Sequence, residues 1–328
     1  MKSLQYGLVS IEGLSELGAV TMIHGGAGPI SKSMERSQEG YLASLAALEV
    51  LRADAQKRSV TPSTPYLQAK TSRVLSLAEA QALYAVTSLE ASPAFNAGRG
   101  SALQIDGVCR VSAAAMESRR CRLSAVINAQ RVCHPSVLAL CLQDMQHGVR
   151  DSEGTALLMR DLGIPLEDPV TPYQFEKWSQ RRIAQLTGVV PTTGETGTVG
   201  SVSCDSEGQL AAMTSTGGIG FESVGRVGDV PTIAGTYCTR RTAVSCTGYG
   251  EEIVSHAVAA RLAVRLEDSS NPEFALEQTI NEALAANLRY AFICVHKLAR
   301  GVLWARGATT EHFAWGVMNS DGISFSNE

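Results

Sequence analysis

At 328 residues the chain is long enough for one large domain or two ordinary ones. Hydrophobic residues make up 45% and charged residues 18%, with 30 glycines spread along the length, which excludes a disordered chain and suits a compact α/β or α+β protein. A formal net charge of -4 and a pI near 5.9 remove the electrostatic case for nucleic acid or an anionic membrane, leaving a small molecule or peptide as the expected partner.

The opening segment carries Glu12 and Glu16 before any apolar run of signal-peptide length, and no stretch approaches about 18 uninterrupted apolar residues, so the cytoplasm is the expected address. Ala19-Val20-Thr21-Met22-Ile23 reads as a buried strand that ends in a glycine loop, His24-Gly25-Gly26-Ala27-Gly28-Pro29. Tyr41, Leu45, Leu48 and Leu51 follow at helical spacing, and the polar residues 53–75 with Pro62 and Pro65 read as a surface connection. Ser76-x-x-Glu79 is a capping box opening a helix to about Leu89, because the serine hydroxyl and the glutamate carboxylate each satisfy a free backbone N–H.

Pro165 to Gly197 is turn-rich and polar, the most plausible linker in the chain. After it, Thr198–Cys204 and Gln209–Thr214 read as strands joined by a turn at Asp205-Ser206-Glu207-Gly208. Ile253, Ala257, Ala260 and Val264 share one face of a helix, Asn271-Pro272 supplies a cap and first-turn proline for another, and Phe313–Met318 with Ile323–Phe325 form a final hairpin about Ser320-Asp321-Gly322. The eight cysteines include no C-x-x-C pair and no zinc spacing, so they are expected to be reduced, mostly buried apolar side chains, with Cys246 the one to follow.

The chemistry concentrates at Gly197-Thr198-Val199-Gly200. A threonine opening a strand after a glycine and a linker is an ordinary strand residue unless something activates its hydroxyl. Its own α-amine could: a free amino terminus has a pKa of roughly 7.7–8.0 and can accept the hydroxyl proton near neutrality. That requires cleavage before Thr198, and Gly197, lacking a Cβ, permits the close approach. Taken singly the other candidates also have bland readings. Arg226 and Asp229 read as a surface ion pair, His24 as a core histidine, and the glycines of HGGAG, TSTGG and GRVGD as turns.

Their order does not read blandly. HGGAG, FNAGRG, GTVG, TSTGG, GRVGD and SCTGYGE, from His24 to about Glu251, resemble the plant-type asparaginase / isoaspartyl aminopeptidase family of N-terminal-nucleophile (Ntn) hydrolases; past about 252 the likeness is only general. The resemblance implies an α+β fold, a four-layer αββα sandwich forming one domain over 1–328, cut into chains 1–197 and 198–328 that pair as a dimer of αβ units. It implies Thr198 as the nucleophile for self-cleavage and for L-asparagine or β-aspartyl dipeptides, Thr216 as its hydroxyl partner, Asn96 as an assisting residue, and Thr247 and Gly248 as the oxyanion hole. Arg226 and Asp229 would hold the substrate's α-carboxylate and α-ammonium. No cofactor is required, but a structural sodium ion is implied, on backbone carbonyls of Leu89, Glu90, Phe95 and Ala97.

Three departures from the family pattern fall where substrate is expected: Ser112 and Ala114 within 111–118, a one-residue shortening between Pro231 and Tyr237, and Cys238-Thr239-Arg240-Arg241. Glycosylasparaginase is the nearest rival, but it has TSTNG where this chain has TSTGG. Taspase-like proteases lack the aspartate at 229, and a catalytically silent scaffold is the remaining alternative.

Overall fold

A computed structural model describes residues 3–10, 19–28, 46, 74–189 and 197–326; the expected helix through Tyr41 and Leu51 and nearly all of the 53–75 connection lie outside them. The strands are β1 (Ser3–Ser10), β2 (Ala19–Gly28), β3 (Val111–Glu117), β4 (Ser124–Ala129), β5 (Val149–Arg150), β6 (Val199–Asp205), β7 (Leu210–Thr216), β8 (Thr236–Cys238), β9 (Thr242–Gly248), β10 (Tyr290–Leu298), β11 (Gly301–Ala308), β12 (His312–Asn319) and β13 (Gly322–Ser326). Among the described residues they form two sheets, ordered β1-β11-β10-β9-β8 and β13-β12-β2-β6-β7-β3-β4-β5. The helices are α1 (Leu77–Ala91), α2 (Pro135–Cys141), α3 (Ser152–Asp161), α4 (Pro172–Leu186), α5 (Gly250–Ser255), α6 (Val258–Asp268) and α7 (Pro272–Ala285). The class is α+β, as expected.

Strand alternation sorts the core. On β10, Ala291, Ile293 and Val295 face β2 and β6, joining Val20, Met22, Val202 and Cys204, while Tyr290, Phe292 and Cys294 face Leu262, Leu266 and Ile280 of α6 and α7. On β7, Leu210 and Ala212 join the first of these clusters, whereas Ala211 and Met213 pack with Leu83, Val86 and Leu89 of α1. β6 is hydrogen-bonded to β2 on one side and β7 on the other, so residues on both sides of position 197 share one sheet.

Local signals are met where they were read. Ser76 and Glu79 form both halves of the capping box, Asn271 Oδ1 accepts the Phe274 N–H at 3.1 Å, and the 320–322 turn joins β12 to β13. Asp205 Oδ1 accepts the backbone N–H of Glu207 and Gln209 at 3.0 and 2.8 Å, closing the β6–β7 turn.

Three expectations are corrected. The HGGAG segment continues β2 to Gly28 rather than leaving it as a loop, because the register with β12 shifts at Ala314 and Trp315 and absorbs the extra residue. The 165–197 stretch contains a 15-residue helix, α4, capped by Thr171 with Pro172 in its first turn. Ile253, Ala257, Ala260 and Val264 do not share a face: α5 stops at Ser255, and Ala257, at φ 47°, is the N-cap of α6 and resets the phase so that Val258, Ala259, Leu262, Ala263 and Leu266 are the buried side of α6.

Candidate active site

Toward one end of the layer between the sheets, the inward residues change character. Val202, Leu210, Ala212 and Ala243 give way to Thr198, Thr214, Thr216, Ser245 and Thr247, with Gly200 among them. The five hydroxyls are buried. Alternation of period two is what gathers them on one side of β6, β7 and β9.

The Thr198 hydroxyl donates to Thr216 Oγ1 at 3.1 Å, and Thr216 Oγ1 also accepts the Gly218 N–H at 3.1 Å. Asn96 braces the same turn: its Nδ2 donates to the Gly218 carbonyl at 2.7 Å, its Oδ1 accepts the Ala102 N–H at 2.8 Å, and its own carbonyl accepts the Gly217 N–H at 2.8 Å. Gly197 lies against Asn96, whose Cβ is 2.8 Å from where a side chain at 197 would begin. Residues 190–196 lie outside the described residues.

His24 is a buried residue of β2 with both ring nitrogens engaged, Nδ1 with the Thr198 carbonyl at 3.1 Å and Nε2 with Ser245 Oγ at 2.9 Å. Burial pulls its pKa down to about 3, so it is neutral at working pH. Gly200 makes room for this contact, since a Cβ there would overlap both Ser245 Oγ and His24 Nε2. Gly200→Ala is therefore expected to cost about 1–3 kcal/mol as an overpacked core, read by calorimetry as a lowered Tm; an unchanged Tm would contradict the contact.

Arg226 and Asp229 flank Gly250: a Cβ on that glycine would lie 2.9 Å from Arg226 Nη2 and 3.0 Å from Asp229 Oδ1. Arg226 is held by Glu251 in a two-point fork, Nε to Oε1 at 2.6 Å and Nη2 to Oε2 at 2.9 Å. Burial pushes the Asp229 carboxyl up to about 7 against the pull of nearby Arg226, and its Oδ2 has no hydrogen-bond partner. Thr247 Oγ1 is likewise buried without a partner. Gly248 follows it at φ 135°, and the Tyr249 N–H is held by the Arg289 carbonyl at 2.9 Å.

Several residues of this site escaped the sequence reading. Glu251 was visible only as the last letter of SCTGYGE. Asn128, at φ 52°, joins Ser112 to the site: its N–H donates to Ser112 Oγ at 3.0 Å and its Nδ2 to the Arg226 carbonyl at 3.2 Å. Helix α4 brings Gln174 to the Gly100 carbonyl at 2.7 Å and Arg181 to Gly220, where Nη1 is 2.8 Å from the Cβ position.

Of the departures, Ser112 pairs with Thr216 and does border the site. Cys238–Arg241 does not. Cys238 pairs with Ala243, at the end of β9 opposite Thr247, about 13 Å along an extended strand. Cys246 faces away from Thr247 into the α6–α7 core, where burial raises its thiol pKa well above the ordinary value, so it is a packing residue.

The 89–100 segment turns carbonyls inward. Those of Pro93 and Phe95 lie 2.6 and 2.7 Å from the Cβ position of Gly100, and those of Glu90 and Cys133 crowd Gly98. The Leu89 carbonyl accepts one N–H from Ser92 and that of Glu90 one from Arg99, leaving each a second lone pair. Backbone carbonyl oxygens are the type of ligand a hard cation takes. No group of three or more His, Cys, Asp or Glu among the described residues could hold a metal ion, and none of their helices is long and apolar enough to cross a membrane.

A family profile described as Asparaginase matches residues 17–326. The chain belongs to the asparaginase family. Among its relatives in that family, the isoaspartyl peptidase/L-asparaginase of Synechocystis sp. is 41% identical over 209 residues, covering 61% of this chain and 63% of the relative. That of Nostoc sp. is 40% identical over 206 residues, 60% of this chain and 65% of the relative. The matches thus span just under two thirds of either asparaginase relative. That of Danio rerio is 33% identical over 260 residues, 77% of this chain and 78% of the relative.

Proposed function

We propose that this chain is a self-activating amidohydrolase: scission between Gly197 and Thr198 frees the Thr198 amine, and Thr198 then hydrolyses the side-chain amide of L-asparagine or the isopeptide bond of β-aspartyl dipeptides. The observation that carries the reading is the Thr198–Thr216 hydroxyl pair at 3.1 Å, in one polar layer with the unpartnered Thr247 hydroxyl and Asp229 carboxylate oxygen. Buried polar atoms without partners call for an explanation, and a donor and an acceptor waiting for substrate supply one.

In the intact chain the Thr198 proton goes to Thr216. Once freed, the amine takes that proton, the oxygen attacks the substrate carbonyl, and Thr216 can rotate its own proton toward the developing charge. The Thr247 hydroxyl and the backbone of Gly248 meet the oxyanion. The amine proton passes to the departing ammonia or peptide amine, and water then cleaves the β-aspartyl ester to release L-aspartate. Asp229 pairs with the substrate ammonium, and Arg226, held by Glu251 through only part of its fork, offers its remaining N–H groups to the α-carboxylate.

The same reading carries the architecture and assembly. The three clusters of apolar residues agree with a four-layer αββα sandwich of the Ntn type. Fragments 1–197 and 198–328 would remain one domain because β2 and β6 share a sheet, and two such units pair. No cofactor takes part in the reaction. A structural sodium ion on the Leu89, Glu90, Phe95 and Ala97 carbonyls would stiffen the loop that carries Asn96. A cytoplasmic address suits eight cysteines that form no disulfide.

The glycosylasparaginase reading is disfavoured at Gly217. A side chain there would overlap Ser101 Cβ and begin 2.5 Å from Asn96 Oδ1, so the asparagine of TSTNG has no space.

The deciding experiment incubates purified protein with L-asparagine and with β-aspartyl dipeptides. We expect two bands on a denaturing gel, starting at Met1 and Thr198, and release of aspartate. One band near 34.8 kDa with no aspartate released would instead mark a silent scaffold.

A further inference from the structure

Among the polar side chains described between the two sheets, five residues are joined in one continuous thread. The Thr198 carbonyl meets His24 Nδ1 at 3.1 Å, His24 Nε2 meets Ser245 Oγ at 2.9 Å, Ser245 Oγ meets Thr214 Oγ1 at 2.7 Å, and Thr236 Oγ1 meets Thr214 Oγ1 at 2.7 Å. Thr236 Oγ1 also lies 3.0 Å from the Val230 carbonyl, next to Asp229. His24, Ser245, Thr214 and Thr236 are each 0% exposed.

The direction of the bonds from the Thr198 carbonyl out to Thr214 is forced. A carbonyl can only accept, so the proton of neutral His24 sits on Nδ1 and Nε2 must accept. Ser245 therefore donates to His24 and Thr214 to Ser245, and Thr236 donates its single proton to Thr214 in competition with the Val230 carbonyl. Four strands are tied to the nucleophile residue in one sense: β2 through His24, β9 through Ser245, β7 through Thr214 and β8 through Thr236.

Stability does not account for the thread. Valine has nearly the shape of threonine, and replacing both partners of a buried hydrogen bond with apolar groups of the same shape is close to neutral. Much of the layer is built that way, with Val202, Ala212, Ala243 and Ile293. The polar residues begin where the layer reaches Thr198, and Gly200, which pairs with Thr214, is the vacancy through which His24 and Ser245 meet.

We infer that His24, Ser245, Thr214 and Thr236 are positioning residues, a one-way hydrogen-bond relay that holds the Thr198 backbone so that its hydroxyl stays aimed at the bond to be cut. The inference rests on Thr198 being the nucleophile. The relay grips the carbonyl on the far side of Thr198 from the scissile bond, so it acts alike before and after scission. It also ties the strand of Thr198 to β9, which carries Thr247. Errors of about 1 Å in such alignment cost on the order of 100-fold in rate.

The test compares Thr214→Val, which keeps the shape and loses the hydroxyl, with Thr214→Ser, which keeps the hydroxyl and loses the methyl. Aspartate release by processed protein gives kcat and KM, and melting gives stability separately. The relay predicts that Thr214→Val lowers kcat about tenfold with KM within about twofold, and slows processing by a similar factor, while Thr214→Ser stays near wild type in kcat whatever its Tm. Ser245→Ala combined with Thr214→Val is expected to be no slower than Ser245→Ala alone, because the thread is already cut. Should Thr214→Val fail to fold, Thr236→Val against Thr236→Ser makes the same comparison one link further out, with a loss of about threefold expected. Wild-type kcat in the valine variant, or an equal loss in the serine variant, would overturn the relay and leave the function standing. An unprocessed, inactive wild-type protein would overturn the nucleophile reading, and the relay with it.

Discussion

Replacing Thr198 with alanine is expected to leave a single band near 34.8 kDa and to lower aspartate release by roughly four orders of magnitude or more. The methyl group can neither attack the bond before it nor, were that bond cut by other means, attack a substrate. The Thr216 hydroxyl would lose its 3.1 Å partner and keep only the Gly218 N–H. Folding should be little changed, because Thr198 lies just before β6 and the ladder of β6 with β2 and β7 is made by backbone groups. Processing and turnover should therefore vanish together at nearly constant Tm. A Thr198→Ala protein that still splits at this junction, or still releases aspartate, would remove Thr198 from the chemistry.

The second large effect concerns pH. Asp229 has its carboxyl raised to about 7 by burial, so below that pH it takes up a proton and becomes neutral. A neutral acid cannot balance the ammonium of the substrate. The free Thr198 amine, with a pKa of roughly 7.7–8.0, must also be unprotonated to act as base. Both groups lose function in the same direction, so log kcat/KM is expected to fall with a slope approaching two below about pH 7. His24, at about 3, is neutral throughout and contributes nothing to that limb. Asp229→Asn should lower kcat/KM by on the order of 100-fold at neutral pH, the cost of removing one member of a buried charge pair, and reduce the acid slope to one. A wild-type slope of one, unchanged by Asp229→Asn, would show that the carboxylate does not bind the ammonium.

What could be read along the chain was read where a few adjacent residues hold the whole instruction. Ser76 with Glu79 and Asn271 with Pro272 satisfy backbone groups within one helical turn. Thr171-Pro172 is the same kind of signal, and α4 went unseen because the helix behind it has no apolar stripe: only Gln174 is fully buried along its length. The face of α6 was misplaced for the opposite reason. Its periodicity was present, but the left-handed turn at Ala257 shifted it, and nothing in an alanine announces φ 47°.

The candidate site divides in the same way. Sequence by itself determined the family and marked Gly197-Thr198, Thr216, Arg226, Asp229 and Thr247 as the candidates, because each lies in a short glycine-marked motif whose order along the chain is distinctive. Only the tertiary structure decided that Glu251 grips Arg226, that Cys238–Arg241 lies at the far end of β9, and that His24, Ser245, Thr214 and Thr236 form one thread. Those four residues are scattered from position 24 to position 245 and are ordinary strand residues in sequence. Their hydroxyl and imidazole groups acquire partners only when two sheets stack and a missing side chain at Gly200 lets them touch, and no local pattern encodes the spacing between sheets.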